Sequence, residues 1–191
     1  AIALFALVLA ACGDRSGKVL EEPVFPPPAT QPDTTAIATT VAPPEQFELV
    51  APWVDGSTIP DRHTCAGAGV SPALFWSGVP SGTVELALTV VDNDAAGFVH
   101  WIVYAISPIE TGTVEGEPPA ASFQWPNSGG TSDWVPPCPP GNETHRYEFT
   151  VHALNQQLEV ADDDSAADVL SILNATTIAR STVVGLTTGV P

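Results

Sequence analysis

The decapeptide DNDAAGFVHW (92–101) places two carboxylates, Asp92 and Asp94, shortly ahead of an imidazole, His100. A second imidazole, His145, opens the segment HRYEFTVHAL. Residues of these types can do three kinds of chemistry. Ring N–H groups can hold an anion while a carboxylate fixes one imidazole's tautomer. Two histidines and an aspartate can face a metal ion. A histidine can also activate a nucleophile, for which Cys138 is the candidate beside His145. No H-x-x-x-H or H-E-x-x-H spacing supports the metal, and no serine stands in a G-x-S-x-G elbow. The residues therefore point to ligand binding, with no catalytic group, no metal and no cofactor.

The elements that must position these groups are mostly strands. FELVA (47–51), ALFW (73–76), VELALTVVD (84–92), FVHWIVYAI (98–106), RYEFTVHAL (146–154) and a short TVVGL (182–186) are rich in β-branched and aromatic residues. Gly and Pro turns separate them, which predicts a mainly β, antiparallel sandwich. In the fourth strand, strict alternation would put Val99, Trp101, Val103 and Ala105 on one face. Phe98, His100, Ile102 and Tyr104 would take the other, so His100 interrupts an apolar face. A lone histidine there is ordinary core. Asp92 and Asp94, closing the preceding strand, change that reading, because the hairpin would return His100 to within reach of Asp92. One helix is predicted: Ser165 to Asp168 has capping-box spacing. Val169, Ile172, Leu173 and Thr176 then follow at helical intervals, with Arg180 near the C-terminal end.

Residues 1–11, AIALFALVLAA, are uninterruptedly apolar but shorter than the roughly 20 residues a bilayer span needs. They fit the core of a secretory signal whose charged N-terminal part is missing. Leu9-Ala10-Ala11-Cys12 resembles a bacterial lipobox, which would make Cys12 a lipidated N-terminus and the protein extracytoplasmic, anchored to the bacterial cell membrane. Residues 12–46 carry the Pro/Thr-rich run FPPPATQPDTTAIATTVAPP and read as a stalk with no core of its own. Residues 47–191 form the single domain. With Cys12 consumed by lipid, Cys65 and Cys138 remain in an oxidising compartment and are expected to pair.

The chain carries a formal charge of −17, and within 47–191 the basic residues are Arg62, Arg146 and Arg180 alone. Nucleic-acid affinity comes from clustered cations, so that partner is excluded. Membrane association would come from the lipid and not from a basic surface.

Four stretches together resemble the phosphatidylethanolamine-binding protein family, in its bacterial Raf-kinase-inhibitor-like branch. They are DGSTIPDRHTCAGAGVSPALFWSGVP, LALTVVDNDAAGFVHWIVYAI, PPCPPGNETHRYEFTVHAL and the C-terminal helix. The resemblance implies a β-sandwich with a small preformed anion pocket for phosphate-like or phospholipid head groups. Carried over by motif, its lining is Asp92, His100, the loop at 136–140 with the Cys138 amide, His145, and Tyr147 at the wall. It also leaves open a role as inhibitor or modulator of an extracytoplasmic enzyme through an unidentified protein partner. Two departures stand out: the family's DPDAP is DNDAA here, and its GPCPP is PPCPP, with Pro136 in place of a glycine.

Overall fold

A computed structural model of the chain describes residues 45–190. The expectations for the signal remnant at 1–11, for Cys12 and for nearly all of the stalk lie outside the described residues. Among the described residues, eight strands and one helix follow in the order β1 (Glu48–Val50), β2 (Ser57–Thr58), β3 (Phe75–Ser77), β4 (Glu85–Asp92), β5 (Phe98–Ile106), β6 (Phe123–Gln124), β7 (Thr144–Leu154), α1 (Ala166–Thr176) and β8 (Thr177–Thr188). A single 3-10 turn at Asp61–His63 lies between β2 and β3. The predicted mainly β architecture is what forms.

Six strands make one sheet in the order β2-β8-β7-β4-β5-β6, antiparallel throughout except for the β2–β8 pair. β1 and β3 form a separate two-stranded antiparallel sheet. Alternation along β4 and β7 sorts side chains to two faces. Leu86, Leu88 and Val90 join Tyr147, Phe149, Val151 and Ala153 in a core closed by Leu49 of β1 and Trp76 of β3. Ala87, Val99, Ile102 and Leu154 face the other way, onto Val169 and Leu173 of α1. The large sheet thus lies between the small sheet and the helix.

Two local expectations need correction. The helix, expected to run to about Arg180, ends at Thr176, and β8 starts at once and is twelve residues long. The run Thr176-Thr177-Ile178 is β-branched and suits extended backbone. β7, moreover, pairs with β8 from Thr144 to Leu154, satisfying backbone groups that a longer helix would leave open. Thr176 and Thr177 donate their hydroxyls to the Ile172 and Leu173 carbonyls at 3.0 and 2.6 Å, closing the helix end. The N-terminus forms as its sequence suggests: the Ser165 hydroxyl accepts from the Asp168 amide and the Asp168 carboxylate accepts from the Ser165 amide.

Strict alternation in β5 also fails. Val91 pairs with Val99 while Val90 pairs with Trp101, so His100 is an extra residue in the ladder, a β-bulge. Val99 packs on the helix side and Trp101 on the opposite side with Tyr147. The bulge sends His100 to that same side, where its ring meets Tyr147 edge-on with centroids 5.1 Å apart.

Candidate functional site

Where β4 ends and β7 begins, the core-facing alternation continues into polar residues. Asp92 lies directly across the ladder from Tyr147, and His145 is two residues before Tyr147 on the same face. The bulge adds His100 from β5. The loop 135–140 closes the other side, covalently tied to the segment after the 3-10 turn by a Cys65–Cys138 disulfide with Cα atoms 5.3 Å apart. A backbone bond from the Cys65 amide to the Pro137 carbonyl at 3.0 Å runs beside it. The expected pairing forms, and Cys138 carries no thiol that could act as a nucleophile.

Asp92, His100, Cys138, His145 and Tyr147 all line one concavity of about 250 Å³, completed by Ala95, Phe98, Val135, Pro136 and Pro140. The five expected residues are therefore brought together. Their hydrogen bonding differs from expectation in one respect. Asp92 does not orient His100; its Oδ2 accepts from His145 Nδ1 at 2.7 Å. His100 instead donates Nδ1–H to the Val135 carbonyl at 2.9 Å, and the Val135 amide returns a bond to the His100 carbonyl at 3.2 Å. The bulge lifts His100 out of register with Asp92, whereas β7 sets His145 diagonally beside it.

Asp92 has a second task. Its Oδ1 accepts from the Asp94 and Ala95 amides at 2.9 and 3.1 Å, folding the loop that leads into β5. Asp94 in turn accepts from the Arg146 amide at 2.7 Å. These contacts give the DNDAA departure a physical basis. The Asn93 amide donates to the Arg146 carbonyl at 3.2 Å, a bond proline cannot make. Ala96 has φ of 53°, which a proline ring cannot adopt. Pro136 meanwhile packs toward Gly69, where a Cβ would come within 3.3 Å of its ring.

Two further residues stand at the site, neither of them marked by the motifs. Glu143 Oε2 lies 3.2 Å from His145 Nε2, so His145 has a carboxylate at each ring nitrogen. Phe98 stands edge-on to His100 with ring centroids 4.9 Å apart. Glu143 sits two residues before His145, on the same side of an extended segment, and that spacing is the signal available for it.

The two imidazoles are tuned in opposite directions. The Asp92 hydrogen bond, aided by Glu143, holds the His145 pKa above the ordinary histidine value despite burial. Burial pushes His100 below it, against the Val135 carbonyl and the Asp92 charge. Tyr147 is held firmly as the neutral phenol by burial, then by the neighbouring Asp92 carboxylate. The cavity thus holds one imidazole biased toward its protonated form and one biased toward its neutral form; with Nδ1–H of His100 turned to Val135, its neutral ring leaves Nε2 as an acceptor. The Cys138 amide works in the opposite direction on Tyr147, without overcoming burial and Asp92.

Residues 51–188 match the family described as phosphatidylethanolamine-binding protein. The chain is 43% identical over 159 residues to a Mycobacterium tuberculosis protein that carries the lipoprotein name LppC, covering 81% of this chain and 77% of that one. It is 37% identical over 139 residues to a UPF0098 protein of Methanothermobacter thermautotrophicus, covering 69% of this chain and 91% of the other. Among solved structures, Escherichia coli YbcL, described as a new member of the mammalian PEBP family, aligns with TM-score 0.69 and 30% identity over 77% of this chain and all of that one. A PEBP homologue, CT736 of Chlamydia trachomatis, aligns with TM-score 0.66 and 30% identity over 74% of this chain and 96% of that one. The chain belongs to the phosphatidylethanolamine-binding protein family.

Proposed function

We propose that this protein binds, without catalysis, a small anion of the phosphate-ester or lipid-head-group class in the cavity between His100 and His145. The observation that carries the reading is the convergence of His100, His145, Cys138 and Tyr147 on one small concavity, with Asp92 bonded to one of the two rings. His145, favoured in its protonated form by Asp92, donates Nε2–H to an incoming oxygen once Glu143 swings away. His100 Nε2 accepts from a protonated phosphate oxygen or from a head-group ammonium, and the Cys138 amide adds a backbone donor. Asp92 and Glu143 repel a fully ionised phosphate, so affinity is modest and rises as histidine takes up protons. A cavity of about 250 Å³ suits a head group, with any acyl chain left outside.

The likeness to a protein named as a lipoprotein supports attachment through Cys12 and a location outside the bacterial cell membrane. The unbroken apolar run before Cys12 supports it independently. Native mass spectrometry of the purified chain, followed by NMR titration with inorganic phosphate and phosphoethanolamine, tests the binding reading. Retained phosphate ester, or saturable shifts at 92–100 and 135–147, is the expected result. An empty cavity with no shifts at millimolar ligand overturns it. Replacing Cys12 with alanine in the full precursor tests the anchor: the variant should lose diacylglycerol and leave the membrane fraction.

A further inference from the structure

The face of the large sheet that turns toward α1 is apolar only at its β4–β5 end. Across β4, β7 and β8 it carries a row of hydroxyls: Thr89 pairs with Thr150, and Thr150 with Thr182. Next to that row lie His152 and Arg180, which are themselves cross-strand partners. Together with Asn174 of α1 these residues line a solvent-open cavity of about 460 Å³. It lies on the opposite side of the sheet from the His100–His145 concavity and shares no lining residue with it.

We propose that this cavity is a second binding site, for a small hydroxylated carboxylate such as a sugar acid, with Arg180 as the partner of the carboxylate. Three observations carry the proposal. Arg180 faces the cavity without a carboxylate partner among the described residues, whereas Arg62 pairs with Glu115. In a chain of charge −17, a guanidinium whose one side-chain bond is a long 3.3 Å contact to the Asn174 amide oxygen is available to an anion.

The floor is built for hydroxyls. Thr89 and His152 are buried and joined at 3.0 Å, and Thr150 and the exposed Thr182 share a hydrogen bond at 2.8 Å. A sheet face under a helix ordinarily carries apolar residues, and hydroxyls in this position can hydrogen-bond a polar occupant and so offset the cost of its desolvation.

Charge and shape then narrow the class. His152, pushed down to about 4 by burial and then by Arg180, is neutral and adds no second cation. Glu148 lines the far end, four residues from His152 along β7, or roughly 13 Å at the usual strand rise. There it accepts from ligand hydroxyls and disfavours a second negative charge. Among the described residues no Phe, Tyr or Trp lines the cavity, and the one ring there, His152, is buried and already bonded to Thr89, so a monoanion carrying hydroxyls fits better than a nucleotide.

The test uses the full chain and ¹⁵N-resolved NMR titration with D-glucuronate, D-glucose and acetate. D-glucuronate should shift the amides of Thr150, Asn174, Arg180 and Thr182, and bind more tightly than either other probe. Arg180→Gln should weaken it by about tenfold, the usual loss of a charge-assisted pair, and Thr182→Val should weaken it by a smaller factor. Both residues are exposed, so both variants should keep the folded spectrum. His145→Ala should leave glucuronate binding unchanged, which separates this site from the first cavity. Equal affinity of Arg180→Gln and the parent overturns the proposal. So do shifts confined to the His145 side, or no shift at tens of millimolar.

Discussion

Asp92 and His145, 53 residues apart in sequence, meet in a buried 2.7 Å hydrogen bond, with Nδ1–H of the ring donating to Oδ2 of the carboxylate. The pair joins the end of β4 to the start of β7 and sets the charge of the candidate site. Its consequences are measurable.

The raised His145 pKa fixes the sign of one pH effect. Stability from this protonated pair is fully present below the unfolded histidine value of about 6.5 and is lost as pH rises through the higher folded value. Asp92→Asn should lower the His145 pKa by roughly one unit or more. Imidazole NMR titration reads this directly. An unchanged midpoint would show that the carboxylate does not set the ring's charge.

Anion binding should respond to pH in two steps. It should strengthen as pH falls through the raised His145 value, and again below about 6.5 as the depressed His100 takes up a proton. His100→Ala and His145→Ala should each weaken phosphate binding by about tenfold, the scale of one charged or buried hydrogen bond. His152→Ala should not, since His152 faces the other side of the sheet. Calorimetry at pH 5.5 and 7.5 on the three variants checks both points.

Reducing the Cys65–Cys138 bond should cost on the order of 4 kcal/mol for a 73-residue separation by the chain-entropy account. The same change frees the loop that carries the Cys138 amide, so phosphate affinity should fall more than stability alone explains. Denaturant curves and phosphate titrations of Cys65→Ser, compared below the unfolding transition, separate the two effects.

Ala96 is held at φ of 53° beside Gly97 at 76°. Ala96→Gly should therefore stabilise the fold by up to about 1 kcal/mol. Ala96→Pro should destabilise it by about 3 kcal/mol or more, since the ring forbids that angle. Thermal unfolding of the two variants gives the comparison. A proline variant as stable as the parent would mean the loop takes another conformation.

Much of this was legible from residue types. Strands at 84–92 and 98–106 and the capped start of the helix follow local patterning, and the cysteine pair follows from compartment and count. The site's membership, Asp92, His100, Cys138, His145 and Tyr147, rested on motif resemblance and converges in space. What alternation could not show is the bulge, because one extra residue leaves no compositional trace. Local reasoning therefore joined Asp92 to His100, its neighbour through the hairpin. A partner 53 residues away, supplied by β7, took that place. The extent of β8 was hidden for a related reason. Its first six residues are exposed or half-buried, so they show no apolar alternation, and their strand state comes from pairing with β7.

The bulge at His100 has a consequence for how such a protein diversifies. A residue inside the ladder is answerable to a partner on each side, and changing it disturbs neighbouring strands. His100 stands between two rungs, opposite none, and its carbonyl accepts from the Val135 amide. The position behaves as an interchangeable bit in a fixed chuck. A change of side chain there alters the lining of the cavity directly while displacing no cross-strand partner on β4.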